Sequence, residues 1–318
     1  MRAILVINPL AGKTKRKMPP ILKWTFRKLK NKLMGISKQK ITAEEVEKEV
    51  KMICSKEKIK LDIEFITHPH HAMELAKSAR NKYDIFIVAG GDGTVNEVIH
   101  GISNSKTTLA IIPFGSTNVL ALELGIPFNV KKAAELIANG RKIKMDLGYA
   151  KTKQEGRYFS MMLSVGFDAS LIKQISSKFK KQWGSLAYPI AGVKHLFKYK
   201  WGNIYVKHKS DSVGYFVIIS NSKNYGGEYQ IANKANVRDG LLDLVVINRK
   251  NLWEKIKILS SLLSGKLNKF QKGEYYQIKK AHIYSNHKMF VQVDGELIGT
   301  VPVNVKIAPK ALNVMVKK

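Results

Sequence analysis

The apolar run Ile85-Phe86-Ile87-Val88-Ala89 enters three glycines within four residues, Gly90-Gly91-Asp92-Gly93, and passes straight into the helix-compatible stretch Thr94-Val95-Asn96-Glu97-Val98. No other segment restricts the fold as much. A buried strand that turns at once into a helix is the unit of a parallel sheet flanked by helices. The missing Cβ atoms let the backbone approach a polyanion, and the free N–H groups and dipole of a helix start attract negative charge. Thr94 can cap the helix or donate. Asp92 would be repelled by bound phosphates unless a cation lay between, which makes it a candidate partner of Mg²⁺ or of its waters. A tight turn capped by Asp92 is the plainer alternative, and the segment alone leaves both open.

The same rhythm continues on both sides. Residues 3–8 and 60–66 are strand-like, 42–54 has helical spacing at Val46, Val50 and Ile53, 72–81 and 94–100 are helical, and 83–89 and 109–113 are apolar strands. Beyond about residue 146 the pattern becomes strand-rich, with candidates at 158–165, 202–208, 214–220, 242–248, 277–284 and 290–293, interrupted by helical stretches at 185–197 and 252–264. The expectation is an α/β chain: an N-terminal three-layer parallel-sheet domain over 1–145 and a C-terminal antiparallel β-sandwich domain over 146–305.

A length of 318 residues suits two such cores. The single cysteine, Cys54, excludes an intramolecular disulfide and points to a reducing, cytoplasmic setting. No apolar stretch approaches the roughly 20 residues needed to cross a bilayer, and residues 4–7 are too few for a secretion signal, so any membrane contact is expected to be peripheral. The outlier is charge: 55 Lys+Arg against 24 Asp+Glu gives +31, a field that favours nucleic acid, anionic lipid or phosphorylated ligands. Residues 13–40 carry about a third of that excess, with no Asp or Glu.

The glycine segment lacks the Lys-Ser/Thr ending of a P-loop and the spacing of a dinucleotide-binding turn. It resembles the diacylglycerol kinase catalytic family, which includes sphingosine and ceramide kinases and bacterial lipid kinases and is more distantly similar to NAD kinases and phosphofructokinases. The resemblance is carried in order by Asn8-Pro9-Leu10-Ala11-Gly12, the glycine segment, Pro113-Phe-Gly-Ser-Thr-Asn118 with Leu124-Gly-Ile-Pro127, Met145-Asp-Leu-Gly148, Tyr225-Gly-Gly with residues 235–243, Val293-Asp-Gly-Glu296, and Ala308-Pro-Lys-Ala-Leu312. It spans nearly the whole chain. It implies an ATP- and Mg²⁺-dependent kinase that phosphorylates the free hydroxyl of diacylglycerol to phosphatidic acid, in phospholipid biosynthesis. It also allows the last strand, about 306–318, to return to the first domain, and a homodimer.

A hydroxyl is a poor nucleophile at neutral pH and needs a base in reach. The resemblance gives that role to Glu296, with Asp294 holding the site, although Asp-Gly alone reads as a hairpin turn. It places Asn8, Pro9, Leu10, Ala11, Gly12, Thr67, Gly90, Gly91, Asp92, Gly93, Thr94, Val95, Asn96 and Ser116 around ATP. It further makes 236–241 a structural Mg²⁺ loop, with the Asp239 carboxylate and the carbonyls of Asn236 and Leu241 as oxygen ligands. Asp243 is left as either a supporting group or plain surface. One departure stands out: many relatives carry Asp after the Asn of the Gly-x-x-Asn loop, whereas here Asn118 precedes Val119.

Residues 21–34 interleave apolar side chains, including Trp24 and Phe26, with cations after Pro19-Pro20. Residues 18–40 therefore read either as a basic interfacial helix on an anionic membrane or as a solvated helix packed on the domain. His68-Pro-His70-His71 is expected to be a loop, since neighbouring residues cannot easily share one ion and the family has no metal there. Residues 179–201, apolar and basic, fit either a lipid entrance or a core with a charged rim. Two rival readings stay open: a kinase for another acceptor (a sphingoid base, ceramide, monoacylglycerol or a soluble metabolite), and a non-enzymatic protein that binds anionic surfaces. No nucleic-acid partner is expected, because aromatic residues are not interleaved as a stacking platform.

Overall fold

A computed structural model describes residues 1–11, 42–115, 117–174, 195, 199, 201–225, 229–248 and 273–318. The basic segment 18–40, the stretch 179–201 apart from His195, Tyr199 and Trp201, the expected helices at 185–197 (His195 apart) and 252–264, and Gly12 and Ser116 lie outside them.

The first half is built on a parallel sheet. Strands β1 (Arg2–Ile7), β2 (Lys60–Phe65), β3 (Ile85–Gly90) and β4 (Thr108–Pro113) lie in the order β2-β1-β3-β4. Every residue of β3 and β4 is buried, so both faces of the sheet are covered, which is why these strands read as unbroken apolar runs. The covering helices pack in pairs. Helix α1 (Ala43–Lys56), capped by the Thr42 side chain, lies on α5 (Val130–Asn139), and α2 (His71–Ala79) lies on α3 (Asp92–Ile102). Gly101 makes the second contact possible, because a Cβ there would sit 2.4 Å from that of Ala76. A five-residue helix, α4 (Val119–Glu123), follows the second loop.

Two long strands tie the halves together. β5 (Arg141–Lys151) pairs antiparallel along its length with β18 (Val303–Val316), whose C-terminal end runs parallel to β4. Towards the other end, β5 pairs with β6 (Gly156–Phe159), and β18 pairs with β15 (Lys280–Tyr284), which leads on to β8 (Ile204–Lys207) and β9 (Asp211–Gly214). One ten-stranded sheet is thus parallel at one end and antiparallel at the other.

Against its antiparallel end packs a second, six-stranded sheet. It contains β7 (Met162–Val165), β10 (Phe216–Ser220), β13 (Leu242–Ile247), β14 (Glu274–Ile278), β16 (Phe290–Val293) and β17 (Glu296–Thr300). Val217, Ile219, Leu244 and Val246 join Val206, Ile283 and Val303 in the core between the sheets, while Phe216, Ile218, Val245 and Ile247 belong to the core of the first half. Helix α6 (Phe167–Gln174) and the two-stranded ribbon of β11 (Asn224–Tyr225) and β12 (Tyr229–Gln230) complete the described elements.

Two expected strands are divided. The run 158–165 breaks at Ser160-Met161, and 277–284 changes sheets at Lys279, whose carbonyl accepts from the Ile307 N–H at 2.8 Å. At Lys279-Lys280 the buried positions change parity, from Ile278 to Ala281 and Ile283, so the sequence marks this break; residues 159–165 are all buried, so no such shift marks the other.

Candidate active site

The glycine segment forms the end of β3 and the start of α3. Gly91 is the helix N-cap, with extended backbone and no side chain, so nothing from it satisfies the first N–H groups of the helix. A Cβ on Gly90 would lie 2.6 Å from that of Thr94. Thr94 Oγ1 accepts from Asn8 Nδ2 at 3.0 Å, and Asn8 Oδ1 accepts from the Leu10 N–H at 3.0 Å. The Asn8-Pro9-Leu10-Ala11 turn therefore stands beside the helix start.

The second loop is held against the first by Asp92. Its carboxylate accepts from the backbone N–H of Asn118 at 3.0 Å and of Val119 at 2.6 Å, and burial outweighs these bonds in pushing its pKa up. Asn118, in left-handed backbone, locks its own loop by accepting from the Gly115 N–H and donating to the Gly115 carbonyl. Close approach requires glycine on both sides: a Cβ on Gly115 would meet the Gly91 Cα at 2.4 Å. Asp92 thus commits both carboxylate oxygens to the neighbouring loop. Val119 contributes only its amide, so the carboxylate that relatives carry after Asn has no counterpart at this position.

The third component comes from the hairpin β16–β17. Asp294, in left-handed backbone, accepts from Ser160 N, Ser160 Oγ, Met161 N and Met162 N between 2.8 and 3.0 Å. Burial nevertheless pushes this carboxyl up to about 6. Asp294 therefore clamps the hairpin to the break between β6 and β7. Glu296, two residues on, projects to the glycine segment: a Cβ on Gly93 would be 3.9 Å from its Oε1.

Sequence reasoning missed two residues here. The Arg157 guanidinium binds Glu296 and also lies 2.9 Å from Glu155 Oε1. It shares the buried face of β6 with Phe159, and an arginine on a buried strand face is itself a signal that a carboxylate must face it. Glu97, one helical turn after Gly93, has its pKa raised by burial and then by the charge of Glu296, and lies 3.7 Å from His70 Nδ1.

Other expected residues fall elsewhere. Val95 and Asn96 are turned into the core, and the Asn96 amide oxygen finds no partner among the described residues. Thr67 is exposed at the turn before α2, with its Oγ1 near the Nδ1 atoms of His68 and His71. In the 236–241 loop, Asp239 and Asn236 are exposed, Gly240 has left-handed backbone, and Asp239 Oδ1 accepts from the Leu241 N–H. Its available donors are all oxygens, which fits a hard cation such as Mg²⁺. Asp146 anchors this loop, accepting from Gly240 N at 2.7 Å and Lys310 N at 2.6 Å. Asp243 is fully buried against the Tyr275 hydroxyl, which rules out the plain-surface alternative.

Residues 35–150 match the family described as the diacylglycerol kinase catalytic domain, and residues 161–316 match the YegS C-terminal NAD kinase beta sandwich-like domain. A diacylglycerol kinase of Bacillus subtilis (strain 168) is 30% identical over 234 residues, covering 71% of this chain and 75% of that protein. The chain belongs to the diacylglycerol kinase catalytic family. A diacylglycerol kinase of Staphylococcus saprophyticus is likewise 30% identical, over 73% of this chain and 76% of its own. A crystal structure of a diacylglycerol kinase from Bacillus anthracis str. Sterne covers 99% of this chain and 97% of its own, with a TM-score of 0.68 at 19% identity, and so shares the fold. The family relation makes this chain a lipid kinase of the ATP-using class. Among the described residues, no helix is long and apolar enough to cross a membrane.

Proposed function

We propose that this chain transfers the γ-phosphoryl group of ATP to the free hydroxyl of diacylglycerol, giving phosphatidic acid, with Glu296 as the general base. The observation that carries the reading is the approach of Glu296 to Gly93: a carboxylate from one half faces an uncapped helix start from the other. A phosphate chain lying along Gly90, Gly91, Gly93 and Thr94 would present its terminal group towards Glu296, where a hydroxyl between them could lose its proton as it attacks. Arg157 fixes the carboxylate's direction, and Asp294 fixes the hairpin that carries it. When bound, Mg²⁺ would neutralise charge on the phosphates. Asn236, Asp239 and Leu241 would hold a second, structural ion.

Around this site we place Asn8, Pro9, Leu10, Ala11, Gly12, Thr67 and Ser116 as further nucleotide contacts. We assign the enzyme to the cytoplasm, with peripheral contact to anionic membrane through residues 18–40. A homodimer is compatible with this arrangement.

ATP consumption with mixed micelles of diacylglycerol, monoacylglycerol, sphingosine or ceramide tests the reading. Turnover is expected with diacylglycerol and loss of it in Glu296→Gln. Turnover with another lipid alone would change the acceptor, and turnover with none would remove the kinase assignment.

A further inference from the structure

The geometry points to a binding site for a borderline divalent metal of the Zn²⁺ class, formed by His68, His71 and Glu74 on the exposed turn before α2 and the first turn of that helix. Among the described residues this is the one group of three His, Cys, Asp or Glu side chains whose ligand atoms all lie within 4.8 Å of one another. The sequence argues against a site because adjacent histidines compete for directions. The fold resolves that objection. His70 takes left-handed backbone at the helix N-cap and turns to Glu97, leaving His68 and His71 to converge. Their rings stack with centroids 4.3 Å apart, and Glu74, three residues after His71 on the same helix face, brings Oε2 to 3.1 Å from His68 Nε2.

Two imidazoles and one carboxylate, with a fourth position open to water, match the donor preference and coordination number of Zn²⁺. Mg²⁺ and Ca²⁺ prefer oxygen alone. His68 and Glu74 are exposed and His71 is half-buried, so a metal has an entry path and no fully buried charge is created.

Thr67 supplies the support that metal-bound histidines need. Its Oγ1 lies 3.0 Å from His68 Nδ1 and 3.2 Å from His71 Nδ1, which leaves the Nε2 atoms as the proposed metal ligands. In the free site, the Thr67 N–H donates to His71 Nδ1 at 3.2 Å, which puts that ring's proton on Nε2. Metal at Nε2 moves the proton to Nδ1, so this ring can no longer accept from the Thr67 N–H and donates to Oγ1 instead. Occupancy therefore changes how Thr67 is held.

The test is a titration of the untagged, chelator-treated full chain with Zn²⁺ against a chromophoric competitor, together with the visible absorption of bound Co²⁺. One equivalent is expected to bind. It is expected to be lost in His68→Ala and in His71→Ala, weakened in Glu74→Gln, and kept in His282→Ala, with thermal unfolding of the metal-free variants unchanged. No binding by the parent chain, or one-equivalent binding that survives the His68→Ala/His71→Ala double substitution, overturns the site. Neither readout depends on kinase activity.

Discussion

The guanidinium of Arg157 holds the carboxylate of Glu296 across 139 residues of chain, joining the β5–β6 hairpin to the β16–β17 hairpin at the edge of the glycine segment. One buried cation thereby serves Glu155 and Glu296, with Glu97 also facing Glu296. Removing it leaves three carboxylates close together with no cation between them. Arg157→Ala is expected to lower the unfolding free energy by about 2 kcal/mol, below the full cost of breaking a buried pair because Glu296 is a third exposed. Denaturant unfolding measures this. Arg157→Lys, which keeps the charge and loses the fork, is expected to recover most of the stability and little of the turnover.

Glu296→Gln keeps the shape and an acceptor for Arg157 but removes the proton-accepting charge. Turnover with lipid is expected to fall by about 10²- to 10⁴-fold, the usual range for a positioned base. ATP affinity and the unfolding midpoint are expected to stay near those of the parent chain. A variant that turned over at the parental rate would remove Glu296 from the mechanism.

Gly115→Ala tests the contact between the two loops. The added methyl would meet the Gly91 Cα at 2.4 Å and Asn118 Oδ1 at 2.8 Å, and neither can retreat without disturbing the Asp92 bonds to Asn118 and Val119. Overpacking of this kind costs about 1–3 kcal/mol. Nucleotide binding, followed by calorimetry, is expected to weaken. The exposed Gly125, where a Cβ meets nothing within 4 Å, sits at left-handed backbone and would report only strain there.

Burial raises the Asp243 carboxyl from its ordinary 3.8 to about 6. The folded chain therefore holds this proton more tightly than the unfolded chain does. The stabilisation is complete below about pH 4 and is lost as pH rises through 6, an effect worth about 3 kcal/mol for that difference. Comparing Asp243→Asn with the parent chain by unfolding at pH 4 and pH 7 isolates the contribution of this carboxyl, because the amide does not titrate. The parent chain is expected to lose stability relative to the variant between the two pH values. A flat difference would show that Tyr275 and the surrounding groups compensate the burial.

Deleting residues 18–40 removes a large share of the local cationic excess together with Trp24 and Phe26. Co-sedimentation with anionic vesicles is expected to fall, by about 1 kcal/mol for each surface-facing Lys or Arg lost, and to depend steeply on salt before deletion. Undiminished binding would refute the anchor reading of this segment.

Much of this arrangement is legible in the residues. Strand β3, the glycines and α3 are consecutive, so the apolar run, the absent Cβ atoms and the helical spacing report one local event. Asp294-Gly-Glu296 is equally local, since a turn glycine places the two carboxylates on successive corners. Arg157 and Glu97 were less accessible, because what makes them part of the site is who faces them. Val95 and Asn96 share a motif with Gly93 and Thr94 but occupy the inner side of the helix, a consequence of its 3.6-residue period. The divided strands differ from one another: at Lys279-Lys280 the buried side chains change parity, a shift readable in the sequence, whereas 159–165 is buried throughout and shows none.

The sequence alone carried the β-α rhythm of the first half, the strand-rich second half and the strand–glycine–helix unit, since each depends on side-chain periodicity and backbone freedom within a few residues. Only the tertiary structure decided that Asp92 braces a loop 26 residues away, that His68 and His71 converge while His70 turns aside, and that Arg157 meets Glu296. The histidines converge through the left-handed backbone at His70, whereas the Arg157–Glu296 contact follows from strand register. Register is fixed by the summed burial of two whole sheets, a quantity that no single stretch of chain contains.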